Sequence, residues 1–385
     1  MSEVAPSADL HRPIHAMLLC ESLGVTGGVE RFVCELANAL VDRGLRVTLG
    51  NVDTARGGVV YPLDPRVDVS SAGVALIEPR AGSRLGRALA MLKLRLRVGR
   101  SLNRLVDAAA PDVVVLNGLV TACSVLMVAK RGGLARRAIC CDHNHFGARS
   151  ALWQRLRARC YPRVAAVVSL TEADAPKFRA LNANTRVIAN TSSLRADAPS
   201  NASSPRVLAV GRHVAQKGFD LLLHAWRDVI AAVPEARLCI VGEGPLHAEL
   251  LALSAQLGVE ASVEWRAPTD HIEALYREAA VFVLSSRYEG MPLALLEAQA
   301  LGVPAVAFDC PTGPREILTT DTGILVEAED TAALARAIAL LLRDPARRSR
   351  MSQAAIARSR LVFDPQRQMD AWAGLIESVA ARAGA

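Results

Sequence analysis

Aromatic residues are scarce in this chain of 385 residues, with Phe, Trp and Tyr together making up 4%. Apolar content still reaches 51%, so any core must be built from Ala, Leu and Val. That suits a layered α/β protein and argues against a β-sandwich or a disordered chain. No apolar run approaches the roughly 18 residues that mark a membrane-crossing helix; the nearest, Val120–Ala129, is too short. The first 13 residues lack the apolar segment of a signal peptide, so a cytoplasmic location is expected. Eight cysteines contain no Cys-x-x-Cys pair, and Cys20, Cys239 and Cys310 fall in apolar segments. This is the pattern of buried, reduced thiols rather than of a zinc site. Neither the G-x-G-x-x-G dinucleotide fingerprint nor a P-loop occurs. A clear Asp-x-Asp metal site is also lacking, and no metal or cofactor is expected.

Charge is plentiful but uneven. Residues 1–200 carry 27 Lys and Arg against 16 Asp and Glu, while the remainder carries 18 against 22. Much of the excess lies in RLGRALAMLKLRLRVGRSLNRLVD, with seven basic residues between Arg84 and Arg104. Basic and apolar residues interleave there at roughly helical spacing, as on surfaces that lie against anionic lipid headgroups. A solvated helix face is the plainer reading. Nucleic acid is a third, weakened because aromatics for stacking bases are missing from the stretch.

Short β-branched segments alternate with amphipathic ones along the whole chain. HAMLLCESL, a Gly-rich loop and VERFVCELANALVDRG open the series; LRVTLGNV, PDVVVLNGL, RRAICCDHN and VAAVVSLT continue it. After RVIAN comes TSSLRADAPSNASSP, a linker by composition. The pattern then restarts with RVLAVGR, ARLCIVGEGP, SVEWRA, AVFVLSS, PAVAFD and GILVE. Such alternation predicts an α/β fold of two doubly wound, Rossmann-like parallel sheets. The expected domains are residues 1–192, a linker 193–205, residues 206–364, and a C-terminal helical segment 365–385. Ligands of such sheets bind beyond the carboxyl ends of the strands, so two facing domains imply an interdomain cleft.

Polar groups collect where those strands end. In SSRYEGMPLALLEAQALG, Glu289 stands in the loop and Glu297 inside an apolar helix. Gly290 allows the turn, and Pro292 fits the first helical turn, where its missing N–H is harmless. An ionised carboxylate only accepts hydrogen bonds, so each glutamate suits a hydroxyl-rich ligand such as a sugar. GRHVAQKG places Arg212 and Lys217 beside the next helix start, a cradle for a diphosphate. Gly242 and Gly244 in IVGEGP let the backbone approach a ligand. Gly27 and Gly28 sit at another helix start, whose N–H groups face the same diphosphate from across the cleft. CCDHNHF ends a strand with His143 and His145, either of which can direct a hydroxyl or phosphate, and too few ligands lie nearby for a metal.

Taken together, GRHVAQKG, VGEGP, SSRYEGMPLALLEAQALGVPAVAFDCPTGPREI and TGILV, in that order, resemble the retaining glycosyltransferases of family 4. GGVER, DHN, VVSLTEAD and VIAN extend the resemblance to the first half. The family implies the B-type glycosyltransferase architecture of two facing Rossmann-like domains. It also implies metal-independent transfer of a hexose or N-acetylhexosamine from a nucleotide-sugar, with UDP favoured, to a glycan or lipid-linked acceptor. Surface polysaccharide or lipopolysaccharide assembly at the inner membrane surface would be the setting, with no nucleic acid as partner. By resemblance Arg212 and Lys217 bind the donor diphosphate and stabilise its departure. Glu289 reads the donor sugar, and Glu297 accepts from the ribose hydroxyls. The backbone of Gly290, Met291, Pro292 and Leu293 approaches sugar and phosphate, and Gly27 and Gly28 lie next to the diphosphate and acceptor. His143 matches the family's active-site histidine, with His145 competing for the role. The last helical segment resembles one that returns to the first domain. Competing readings are an epimerase or phosphorylase on the same fold, or a non-catalytic nucleic-acid or ligand-binding protein.

Overall fold

The computed structural model describes residues 12–53, 58–76, 83–129, 133–198 and 205–384. Residues 1–11, part of the basis for the cytoplasmic expectation, and 199–204 of the expected linker lie outside the described residues.

Apolar strands pair side by side into two sheets, all of them parallel. The first holds β1 (His15–Leu19), β2 (Arg46–Asn51), β3 (Asp68–Ser71), β4 (Val113–Asn117), β5 (Ala138–Cys141), β6 (Ala166–Ser169) and β7 (Thr185–Val187), in the order β3-β2-β1-β4-β5-β6-β7. The second holds β8 (Arg206–Val210), β9 (Arg237–Val241), β10 (Val263–Arg266), β11 (Val281–Leu284), β12 (Ala305–Phe308) and β13 (Gly323–Val326), ordered β10-β9-β8-β11-β12-β13. β4, β11 and β12 are buried along their whole length, because helices cover both faces of a parallel sheet. In each sheet the chain first winds one way and then the other. The reversals fall between β1 and β4 and between β8 and β11, and a crevice opens at the carboxyl ends of those strands.

Helices supply the covering layers. Gly28–Asp42 buries Phe32, Val33, Leu36, Ala37 and Leu40 at helical spacing. Phe219–Ala232 does the same with Leu222, Leu223, Trp226 and Val229. The basic helix, Arg84–Ala109, begins at Ser83, whose hydroxyl accepts from Gly86 N at 3.1 Å. It buries Val98, Leu102 and Val106. Arg97, Arg100 and Arg104 stay exposed, as do Leu89 and Leu92, while Arg95 turns inward to Glu21.

One apolar cluster runs through both halves, from Leu18, Val47 and Val115 through Phe32 and Trp372 to Leu295, Leu296 and Ala305. Trp372 belongs to the C-terminal helix, Pro365–Gly384, which crosses back to the first sheet's helix; its ring lies 5.8 Å from Phe32. All eight cysteines are free and buried. No described helix is long and apolar enough to cross a membrane.

Candidate functional site at the facing strand ends

β8 and β11 flank the reversal of the second sheet, so the loops that follow them meet. The first leaves β8 through Arg212, makes one 3-10 turn at Ala215–Lys217, and enters Phe219–Ala232 through Gly218. Gly218 has φ +62°, and a Cβ there would collide with the Ser285 carbonyl. That close approach lets Ser285 Oγ donate to Lys217 O at 2.9 Å and Gln216 Nε2 donate to Tyr288 O at 3.0 Å. Arg287 adds two bonds to Asp220, at 2.9 and 2.6 Å.

Within this zipped pair of loops, Lys217 Nζ donates to Glu289 Oε1 at 2.7 Å. Ser286 Oγ donates to the same oxygen at 2.6 Å, and Thr312 Oγ1 donates to the Glu289 carbonyl at 2.6 Å. Glu289 is buried, and its Oε2 accepts no hydrogen bond among the described residues. The carboxylate is therefore fixed through one oxygen and keeps the other for a ligand. Arg212 is exposed, and its guanidinium donates no hydrogen bond among the described residues. Its neighbour His213 anchors the loop from behind. The buried ring stacks on His247 with centroids 5.0 Å apart and the two Nδ1 atoms at 3.0 Å. His213 N donates to Glu243 O at 2.8 Å, tying the loop to the Gly242–Gly244 turn. Burial pushes the His213 pKa down to about 4, with His247 lowering it further.

The first sheet presents a different surface. Asn117 ends β4, and its Oδ1 lies 3.0 Å from His143 Nε2 in the loop after β5. The His143 ring packs 4.9 Å from Phe32, and burial lowers its pKa to about 4, so the imidazole is neutral near pH 7. The second sheet docks onto this loop. A Cβ at Gly290 would lie 2.5 Å from the His143 carbonyl, so only glycine permits this backbone contact. Asn190 Nδ2 donates to Met291 O at 3.0 Å, and a side chain built at Gly28 would first meet Leu293, at 3.5 Å. His145 faces Tyr288 edge-on at 5.4 Å. Asp142 has a scaffold role: it is buried, accepts from the Tyr161 hydroxyl at 2.5 Å and pairs with Arg157 at 3.0 Å.

One placement differs from the sequence-based expectation. Pro292 is the N-cap of Leu293–Ala300 rather than part of its first turn; its carbonyl accepts from Leu295 N and Leu296 N. At the start of Gly28–Asp42 the Glu30 carboxylate folds back over Gly27, where a Cβ would collide with its Oε2. Burial raises the Glu30 pKa, against the pull of its own amide and of Arg212, which sets Arg212 close to the first sheet. Finally, Glu297 is buried with both oxygens engaged, by Arg31 from the first sheet's helix and by the Tyr276 hydroxyl at 2.8 Å. Its pKa is raised by burial, with Arg31 and Tyr276 opposing.

The structure thus brings together several of the sequence-predicted residues: Lys217 pairs with Glu289, Gly290 meets the His143 backbone, Gly28 lies next to Leu293, and Glu297 reaches the first half through Arg31. Arg31, Tyr276, Ser286, Thr312 and Asn117 were missed. Arg31 lies in the quoted GGVER motif, and Asn117 is the polar end of an otherwise apolar strand. Tyr276 carries no local signal.

Two doubly wound parallel α/β sheets in one chain, of seven and six strands, are the B-type glycosyltransferase fold. The chain belongs to glycosyltransferase family 4. Residues 26–194 match the family described as Glycosyltransferase Family 4, and residues 190–358 match Glycosyl transferases group 1. The amylovoran biosynthesis glycosyltransferase AmsD of Erwinia amylovora is 30% identical over 349 residues, covering 88% of this chain and 93% of AmsD. The lipopolysaccharide core biosynthesis glycosyltransferase LpsD of Rhizobium meliloti is 27% identical, covering 92% and 96%. Among solved structures, Anabaena HepE in complex with UDP and glucose superposes with a TM-score of 0.75 at 20% identity, covering 94% of this chain and 99% of HepE.

Proposed function

We propose that this glycosyltransferase moves a hexose or N-acetylhexosamine from a UDP-sugar to a hydroxyl of a glycan or lipid-linked acceptor in surface-polysaccharide or lipopolysaccharide assembly. AmsD and LpsD support the setting by their names, and the UDP in the HepE complex supports the donor. The observation that carries the reading is the Lys217–Glu289 pair at 2.7 Å at the reversal of the second sheet, next in the loop to Arg212, which has no ion pair among the described residues.

The chemistry follows from that arrangement. The anomeric C–O bond of the donor breaks with its electron pair passing to the diphosphate. Arg212 and Lys217 meet the growing negative charge, in a site already organised before the substrate arrives. Glu289 is spoken for on one oxygen and uses Oε2 to accept from donor-sugar hydroxyls. The acceptor hydroxyl attacks from the face the diphosphate leaves and gives its proton to the departing phosphate oxygen, so configuration is retained. Fixed cations meet the leaving charge, and the reading assigns no metal and no covalent nucleophile. His143, neutral and held by Asn117, is the histidine that directs a hydroxyl in the cleft. Incubation with a panel of UDP-, GDP- and ADP-sugars tests the assignment. One UDP-sugar should raise the melting temperature most and yield an α-linked product from an α-linked donor. Inversion of the anomeric centre, or isomerisation of the donor without any acceptor, refutes it.

The exposed face of Arg84–Ala109 fits peripheral contact with an anionic cytoplasmic membrane surface. Leu89 and Leu92 are 51% and 50% exposed beside Lys93, Arg97 and Arg100, and Leu152 on the helix Ala151–Cys160 is 62% exposed beside Arg155 and Arg159. Acyl-depth leucines flanked by basic heads are what such a surface binds. Replacing Arg97 and Arg100 by Gln should release the protein from phosphatidylglycerol vesicles; undiminished binding would refute the contact.

A further inference from the structure

Glu297 answers to the opposite half of the molecule. It sits on Leu293–Ala300 of the second half, yet Arg31, which binds its Oε1, belongs to Gly28–Asp42 of the first, 266 positions away in sequence. Tyr276 Oη lies 2.8 Å from the other oxygen and 2.9 Å from Ala294 O, with one hydrogen for the two acceptors, so it is held in place. Arg31 is itself held, donating Nε to Glu35 Oε1 at 2.9 Å and Nη2 to Ser193 Oγ at 3.1 Å. Ser193 Oγ in turn donates to Glu35 at 2.9 Å. Both members are largely enclosed, with side chains 18% and 7% exposed. Loss of Arg31 would leave the Glu297 carboxylate buried without a counter-charge, whereas Arg31 would still have Glu35.

An ionised carboxylate has about four acceptor sites. Arg31 takes one on Oε1 and Tyr276 one on Oε2, so each oxygen keeps acceptor capacity in a plane that both partners define. A pair of adjacent acceptors is what a vicinal diol requires. We propose that Arg31 is a positioning residue that reaches across from the first half to orient Glu297 for the ribose diol of the donor. The acceptor-side lobe thereby completes the nucleotide site without touching the nucleotide. The inference rests on the donor reading above. It implies that the donor-side lobe holds its nucleotide at full strength only while the two lobes are docked.

Calorimetric titration with UDP tests this on the wild type, Arg31→Met, Arg31→Lys, Glu297→Gln, the Arg31→Met/Glu297→Gln double variant and Tyr276→Phe. Arg31→Met should weaken UDP binding about tenfold, Arg31→Lys should recover most of the loss, and Tyr276→Phe should weaken binding about threefold. The double variant should bind like Glu297→Gln alone, because Arg31 acts only through that acid. An arginine that merely glues the lobes would lower the melting temperature and leave UDP affinity unchanged. Wild-type affinity in Arg31→Met, or losses that multiply in the double variant, overturns the proposal. Should Arg31→Met fail to fold, Arg31→Lys and Tyr276→Phe decide it by the same readout, wild-type affinity in both overturning it. If the wild type binds neither UDP, GDP nor ADP, the donor reading itself falls and takes this inference with it, a result distinct from an insensitive Arg31.

Discussion

The two walls of the cleft are built on the same topology and work by different means. On the second sheet's side, charged side chains converge and lock each other: Lys217 on Glu289, Arg287 on Asp220, with Ser286 sharing Glu289 Oε1 and Thr312 holding the Glu289 carbonyl. On the first sheet's side stand glycine backbone, a neutral His143 bonded to Asn117, and Glu30 folded over a helix start. A site for a diphosphate needs fixed positive charge, and ion pairs within one lobe hold that charge whether or not the lobes move. The contrast teaches that one wall is held by charge pairs within its own half and the other by backbone contact and a neutral side-chain bond.

The sharpest break of that contrast is Lys217→Ala. It removes a cation from the leaving group and leaves Glu289 buried without its partner. Transfer should fall about 10²–10³-fold, as when one preorganised transition-state donor is lost. Stability should drop by about 3 kcal/mol. A steady-state assay and a urea melt read the two effects, and an unchanged rate would mean that the charged wall is not the donor wall. Next in size is Gly290→Ala at the seam. The added methyl meets the His143 carbonyl at 2.5 Å and Asn144 Cα at 3.1 Å, so the walls must shift apart. Misplacing reactants by about 1 Å lowers rates about 100-fold, whereas overpacking costs about 1–3 kcal/mol. The rate should therefore suffer more than the melt, and the opposite ranking would mean that the seam is only structural.

The smallest effect is a titration. His143 and His213 have folded pKa values of about 4, below the ordinary value of 6.5. As pH falls, the unfolded chain takes up protons first, so stability is full above pH 6.5 and declines between 6.5 and about 4. His143→Gln should flatten that decline by on the order of 1–3 kcal/mol, measured as urea midpoints across the range. A slope identical to wild type would mean that His143 is not held neutral by its wall.

Much of this was legible because it is local. Apolar runs bounded by turns marked eleven of the strands, β7 being only three residues long, and Arg212, Lys217 and Glu289 lie in loops whose strand-end position follows from the alternation alone. β3 escaped because Asp68–Ser71 is an exposed edge strand and needs no apolar pattern. The Arg31–Glu297 pair escaped for a deeper reason: its members are far apart in sequence, and although Glu297 stands out as an acid in an apolar helix, nothing local names Arg31 as its partner. Glu30 misled in the other direction. A glycine-rich helix start reads as open, but the Glu30 carboxylate folds back over Gly27, and only side-chain geometry reveals it. Pro292 moved by one position, within the usual uncertainty of a helix boundary.

Hydrogen exchange with and without UDP tests the central claim most directly, because it reports both walls in one experiment. Amides of residues 27–31, 212–219 and 286–297 should all gain protection when UDP binds. Protection confined to one sheet, or appearing away from all three segments, would contradict a nucleotide held between the two halves.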